Sequence, residues 1–126
     1  MSPAPIGAGP GRALVALYGL FALAAGARAG VQIATRFGEA PLAYSLSAFA
    51  ALVYLLLTVA LLRGARRLAL AALGVELAGV LVIGAASLLD PAAFPDATVW
   101  SGFGRGYLYI PLVLPLVGLY WLLRRR

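Results

Sequence analysis

Residues Leu68–Leu89 read LALAALGVELAGVLVIGAASLL, an apolar run of 22 residues in which Glu76 is the single charged side chain. At about 1.5 Å per residue, a helix of this length covers the roughly 30 Å hydrocarbon core of a bilayer. Three similar runs lie at residues 13–35, 41–62 and 107–123. The pattern predicts an all-α fold, a four-helix transmembrane bundle packed against the helix that carries Glu76.

The composition separates this chain from soluble domains and narrows its chemistry. Of the 126 residues, 63% are hydrophobic and only 11% are charged, whereas about 25% charged residues is usual in soluble domains. Cysteine, histidine, lysine and asparagine are absent, so disulfide, thiolate, imidazole and Schiff-base chemistry are excluded. We therefore expect no cofactor, no metal site and no enzymatic activity.

The arginines predict how the chain is oriented. All ten positive charges are arginine, the net charge is +6, and the arginines lie at the ends of the apolar runs. This placement indicates membrane orientation and no nucleic-acid partner. One side of the predicted bundle carries Arg12, Arg63, Arg66, Arg67 and Arg124–Arg126, and the other carries Arg36 and Arg105. By the positive-inside rule we expect a multi-pass protein of the bacterial inner (plasma) membrane with both termini cytoplasmic.

The same pattern divides the chain into segments. Residues 1–12 are rich in proline and glycine and are predicted to form a disordered cytoplasmic N-terminus. Residues 13–123 form the single transmembrane domain, residues 90–106 its outer loop, and residues 124–126 a basic cytoplasmic tail.

The first apolar run has an alternative interpretation as a secretory signal. A short apolar region after Arg12 ends in Ala25–Ala27, a small-residue pattern typical of a cleavage site. Cleavage there would remove residues 1–27. Apolarity resumes at Val31 and Ile33, which favours an uncleaved helix.

Glu76 is the first candidate for function, because a charged residue near the bilayer centre costs roughly 2.5–3.5 kcal/mol on insertion scales. Either it is a neutral glutamic acid that hydrogen-bonds to a neighbouring helix, or it carries a proton or cation. Arg28 is the natural counter-charge, although helical rise places it about 10 Å from the level of Glu76. Arg28 can instead snorkel to the outer headgroups, where Gln32 continues its polar face.

The second span carries a polar stripe. Ser47, Tyr54 and Thr58 share one helical face. Hydroxyl groups facing lipid lack hydrogen-bond partners, so we expect this face to point into the bundle. There it either lines a small polar cavity with Glu76 and Arg28 or makes only interhelical hydrogen bonds.

The outer loop holds the remaining candidates, Asp90, Asp96, Trp100 and Arg105. We expect its aromatic residues, Trp100 among them, to belong to an interfacial aromatic belt. Two acids without histidine make a poor metal site. A membrane enzyme acting on lipid-linked substrates through Asp90, Asp96 and Arg105 is the least favoured hypothesis.

The loop segment FPDATVW, residues Phe94–Trp100, is followed by Tyr107–Leu123 with its Pro-Leu-Val-Leu-Pro core. Together they resemble small integral membrane proteins of high-GC actinobacterial type. The resemblance implies a four-helix membrane protein and carries over no activity, cofactor or site residue.

Two functions follow as hypotheses. The first is a non-enzymatic accessory or structural subunit of a membrane complex, whose partners are the lipid bilayer and other subunits. The second is a small homo-oligomeric transporter or channel, self-associated, with Glu76 in a polar intramembrane cavity. Scarce polar chemistry and frequent small residues favour the first hypothesis.

Overall fold

The computed structural model describes residues 10–124, which are helical with no strand among them. The four α-helices are α1 (Pro10–Arg36), α2 (Pro41–Leu62), α3 (Arg66–Leu89) and α4 (Ile110–Arg124), and shorter 3-10 helices cover Phe37–Glu39, Pro91–Ala93 and Ser101–Tyr107. The all-α prediction is confirmed. Most of the predicted disordered N-terminus and the last two residues of the basic tail lie outside the described residues.

Three of the predicted spans are present as long helices. Helices α1, α2 and α3 are each long and apolar enough to cross a membrane, which fits a membrane protein by composition. α2 has the predicted bounds, and α1 and α3 begin a few residues earlier, at Pro10 and Arg66. Pro10 and Pro41 each begin a helix, where the missing N–H costs no hydrogen bond.

The fourth predicted span differs from expectation. α4 has only 15 residues, about 22 Å of helix, and begins at Ile110 instead of Tyr107. The 3-10 helix Ser101–Tyr107 meets α4 at a bend of 99°, and the two form a fourth span only if counted together. Leu108 and Tyr109 at the bend adopt left-handed backbone, with φ of 60° and 61°, so a straight helix cannot continue through them.

α4 packs along only half of α3. Leu73 lies 3.0 Å from where a Cβ on Gly118 would stand, and the guanidinium of Arg66 donates to the carbonyl of Leu122. α4 therefore covers the half of α3 that begins at Arg66. We call this end of the helices, where α1 starts and α4 ends, the arginine end, and the opposite end the loop end.

Residues 94–109 cover the other half of α3, and we call them the inward loop. The ring of Trp100 lies 2.5 Å from where a Cβ on Gly79 would stand, and the ring of Phe103 packs equally closely on Gly84. Trp100 is only 1% exposed. It is therefore a core residue and no part of an interfacial belt, because Gly79 leaves the space that its ring fills.

Side-chain hydroxyls satisfy the backbone of the inward loop. The Thr98 N–H donates to Ser101 Oγ (2.9 Å), the Trp100 N–H to Thr98 Oγ1 (3.1 Å) and the Gly102 N–H to Ser87 Oγ (2.8 Å). Non-helical backbone at membrane depth is tolerated only where protein or water supplies such partners. These three hydroxyl residues therefore allow an irregular segment to pack beside α3.

The inward loop also contains residues with left-handed backbone, one of which only glycine suits. Gly104 has φ of 86°, and a Cβ there would lie 2.8 Å from Pro111. Phe103, with φ of 63°, bears a left-handed conformation that costs an ordinary residue roughly 1–2 kcal/mol. Packing of its ring against Gly84 offsets that cost.

The helices pack in chain order. α1 packs on α2, α2 on α3 and α3 on α4, whereas α1 and α4 scarcely touch. The contact between α1 and α2 is close because small residues face each other: a Cβ on Gly26 would lie 3.9 Å from that of Ala51. An apolar cleft lined by both helices lies between α1 and α4.

We predict that Gly79→Ala and Gly84→Ala each destabilise the fold, because the new methyl group meets the ring of Trp100 or Phe103. Overpacking of this kind typically costs about 1–3 kcal/mol. The control is Gly74→Ala, on the same helix, where a Cβ meets nothing within 4 Å. Thermal unfolding of the purified proteins in detergent is the measurement, and a Gly79→Ala variant as stable as Gly74→Ala would contradict the packing described.

Candidate functional site

Glu76 is the one acidic residue among the buried polar side chains of the described chain. Glu76 is fully buried, and its Oε1 accepts a hydrogen bond of 2.6 Å from the hydroxyl of Tyr18, which is also fully buried. α1 and α3 run in the same direction, and this bond joins the first half of α1 to the first half of α3. Tyr18 thereby occupies the place that the sequence suggested for Arg28.

A second buried hydrogen bond lies beside the first. The indole N–H of Trp100 donates to the hydroxyl of Tyr54 at 2.8 Å. The rings of Tyr18 and Tyr54 are 6.0 Å apart, and those of Tyr54 and Trp100 are 6.3 Å apart and nearly perpendicular. α1, α2, α3 and the inward loop thus meet in one aromatic and polar cluster, the central cluster, formed by Tyr18, Tyr54, Glu76 and Trp100.

The central cluster leaves one carboxyl oxygen without a partner. Among the described residues, Glu76 Oε2 is buried and accepts no hydrogen bond. The amide group of Gln32, nearer the loop end, is likewise buried and unpartnered. In the described chain these are the buried side-chain atoms that have no hydrogen-bond partner at all.

Arg28 belongs to a different cluster at the loop end. Its guanidinium donates to the hydroxyl of Tyr107 at 2.9 Å and lies 4.0 Å from a carboxylate oxygen of Asp96. Asp96 also accepts a hydrogen bond of 2.9 Å from Tyr44 and lies 3.9 Å from Arg36. This outer cluster, Arg28, Arg36, Tyr44, Asp96 and Tyr107, joins α1 and α2 to the inward loop.

The two clusters are separate. Arg28 lies ten residues beyond Tyr18 on α1, about 15 Å along the axis, so it does not pair with Glu76. The side chain of Arg28 is half-exposed, yet it contacts Tyr107 and Asp96 of the inward loop. These contacts explain the orientation of the side chain better than snorkelling to the headgroups alone. Between the clusters, Arg28 and Ser47 line a cavity of about 10 Å³, the size of one water molecule.

The predicted stripe on the second span divides in the structure. Ser47 and Tyr54 are buried and face the interior as expected. Thr58 does not join them: its hydroxyl donates to the Tyr54 carbonyl at 2.8 Å, and its methyl group faces Gly19 of α1. A local bond to the preceding turn satisfies this hydroxyl, so nothing draws it into the core.

The two acids of the outer segment have different surroundings. Asp96 is engaged in the outer cluster, while in the described part of the chain neither Asp90 nor Arg105 makes a side-chain hydrogen bond or ion pair. Residues 10–124 contain no cluster of three or more potential metal-ligating side chains. No side-chain hydrogen bond or ion pair in the described chain joins Asp90, Asp96 and Arg105 to one another.

Several residues that shape these clusters escaped the sequence analysis. Tyr18 was one tyrosine in an apolar run, and only its place opposite Glu76 makes it a hydrogen-bond donor. Ser87, Thr98 and Ser101 were ordinary polar residues near the loop. A signal existed for Tyr18, since Phe21, Ala25 and Arg28 continue its helical face.

Comparison of the chain with protein-family models, with curated proteins and with solved structures finds no match. The resemblance to small actinobacterial membrane proteins stays a prediction. Function must therefore be inferred from the residues and their arrangement.

The polar groups that hold hydrogen bonds occupy one half of the interior, and apolar side chains fill the other half. Besides the aromatic residues of the central cluster, the buried polar side chains of the described chain include Gln32, Ser47, Glu76 and Thr98, all at the level of Glu76 or toward the loop end. Toward the arginine end the core is filled by Leu14, Leu57, Leu61, Leu73 and Leu122. Water or ions that reached Glu76 from the loop end would meet this apolar layer.

We predict that Tyr18→Phe lowers the free energy of unfolding by about 1–3 kcal/mol, because the buried Glu76 Oε1 loses its donor. Glu76→Gln should cost less, since an amide oxygen still accepts from Tyr18. Tyr109→Phe is the control, because the structure gives that hydroxyl no hydrogen bond. The free energy of unfolding of each variant is measured in detergent with added SDS. If the loss of stability in the double variant Tyr18→Phe/Glu76→Leu equals the sum of the losses in the two single variants, the two side chains are not coupled.

Proposed function

We propose that this protein is a non-enzymatic accessory or structural subunit of a membrane complex, and that it holds a transmembrane helix of a larger partner against α1 and α2. The observation that carries the proposal is an apolar groove of about 710 Å³ along these two helices. We call it the valley. The proposal includes a bacterial inner-membrane location with both termini cytoplasmic, which the arginine distribution supports.

The floor of the valley consists of small residues from both helices. α1 contributes Gly19, Gly26 and Gly30, and α2 contributes Ala48 and Ala51. The glycines are seven and four residues apart, so they lie on one face of α1 over about three turns. Small residues on one face let a second helix approach closely, which is how transmembrane helices associate without a hydrophobic driving force.

The walls of the valley are apolar and have no unsatisfied polar group. Leu52, Leu55 and Ile33 stand beside the glycines and are well exposed. Thr58 is the one lining side chain with a hydroxyl, and that hydroxyl already donates to Tyr54. A helix with an apolar face can therefore pack in the valley without leaving a polar atom that lacks a hydrogen-bond partner.

The interior supports a structural role better than a conducting one. The central cluster links four segments of the chain through two hydrogen bonds and contacts among aromatic rings, and leucines close it toward the arginine end. Such an interior holds the helices in place and leaves the outer surface to meet a partner.

The test is photocrosslinking in native membranes from a residue of the valley. A photoreactive amino acid at Leu52 should form a discrete adduct with one larger membrane protein, whereas the same group at Val82 of α3 should not. The two positions are matched, since Leu52 is 65% exposed and Val82 is 62% exposed. Mass spectrometry of the adduct identifies the partner and the contact residue.

A second variant blocks the valley without altering the fold. A Cβ at Gly30 meets nothing within 4 Å, so Gly30→Leu should fill the valley and reduce the Leu52 adduct at least tenfold. Gly74→Leu, equally open and on α3, should leave it unchanged. Adducts with lipid alone, or with a second copy alone, would overturn the proposal of a partner subunit.

One observation favours a second candidate, a homo-oligomeric transporter: Glu76 Oε2 is buried and has no partner in the described chain. If Glu76 carries protons or cations, proteoliposomes should show ion-dependent flux that Glu76→Gln abolishes. The accessory hypothesis predicts no such flux and no change in the Leu52 adduct for Glu76→Gln. Flux retained by Glu76→Gln would exclude Glu76 as the carrier.

A further inference from the structure

An apolar cleft lies between α1 and α4, on the side of α1 away from the valley. Its volume is about 440 Å³, within the roughly 300–1,000 Å³ of small-molecule sites. Leu14 and Leu17 line it from α1, and Val113, Val117 and Trp121 line it from α4. The backbones of α1 and α4 rarely come close to each other, so the apolar space between them is left to side chains and to whatever the cleft binds.

The cleft ends among positive charges. Arg124 follows the lining residue Trp121 by less than one turn of α4, and Arg12 directly precedes the lining residue Ala13. Arg124 donates to the hydroxyl of Tyr120 at 2.6 Å, and its guanidinium lies 5.4 Å from the centre of that ring. Tyr120 also lines the cleft, so this contact holds a guanidinium group at the edge of the cleft.

No carboxylate of the described chain balances this charge. Residues 10–124 contain four acids. Glu39, Asp90 and Asp96 lie at the loop end. Glu76 is buried in the interior, where it is hydrogen-bonded to Tyr18. Arg63 and Arg67 add further charge at the arginine end. An apolar cleft with an unbalanced basic end suits a ligand with a hydrocarbon chain and an anionic headgroup.

We propose that the cleft binds an anionic phospholipid, with one acyl chain between α1 and α4 and the phosphate beside Arg124 and Arg12. The lipid completes the contact that the first and last helices do not make. A second copy in the same orientation is disfavoured as occupant, because it would bring two basic ends together. The inference requires membrane insertion but not the partner proposed for the valley, which lies on the opposite face of α1.

The test is native mass spectrometry of the protein extracted from nanodiscs of equimolar phosphatidylglycerol and phosphatidylcholine. We expect one phosphatidylglycerol to stay bound in preference to phosphatidylcholine. Arg124→Gln should lower the phosphatidylglycerol-bound fraction about fivefold. One basic residue near an anionic lipid contributes about 1 kcal/mol of binding free energy, which corresponds to that ratio. Arg63→Gln, on an arginine that is outside the cleft, should lower it much less.

Two variants on α4 test the hydrocarbon part of the site. Val117→Trp places a large ring inside the cleft and should abolish retention, whereas Leu116→Trp, on an exposed neighbour outside the cleft, should not. Equal retention of the two lipids, or retention unchanged in both Val117→Trp and Arg124→Gln, would overturn the proposal. The Leu52 adduct is measured on the same variants. A loss of lipid retention with an unchanged adduct therefore concerns the cleft alone, and a loss of the adduct concerns the valley.

Discussion

The insertion of Trp100 between α2 and α3 is the interaction on which the rest of the structure depends. Its ring occupies the space left by Gly79, and its indole N–H bonds to Tyr54. This contact brings residues 94–109 inward, so they replace the half of a fourth helix that α4 lacks. The same burial brings Tyr107 to Arg28 and Asp96 to Tyr44. Without Trp100 in its place, the loop would lack its main apolar anchor.

A second constraint is that buried polar groups in an apolar protein need partners from the chain itself. Hydroxyl groups meet this need at each irregular point: Ser87, Thr98 and Ser101 bond to the loop backbone, and Tyr18 bonds to Glu76. Glu76 Oε2 and the amide of Gln32 are exceptions among the described residues. They mark the places where a change of conformation or a bound water would gain hydrogen bonds.

The distribution of polar groups favours the proposed functions at the outer surface over a function in the interior. The interior is closed by leucines at the arginine end, and its polar groups pair mainly with one another. The outer surface carries two different apolar features on opposite faces of α1. The valley is floored with glycine and alanine and suits a helix, whereas the cleft ends beside Arg124 and suits an anionic lipid. A small subunit that binds both a partner helix and a lipid would couple that partner to its membrane.

The sequence by itself determined the helical class, the bounds of the second helix and the approximate bounds of the first and third, because long apolar runs with few charges have one stable backbone arrangement in lipid. It also singled out Glu76 and Arg28 as unusual. Only the tertiary structure decided their partners, since these depend on contacts between residues far apart in the chain. Helical periodicity places Tyr18 on a face, but it does not state which helix that face meets. Nor does an aromatic residue in a loop reveal whether it remains at the surface: a glycine 21 positions earlier, Gly79, leaves the space in which Trp100 is buried.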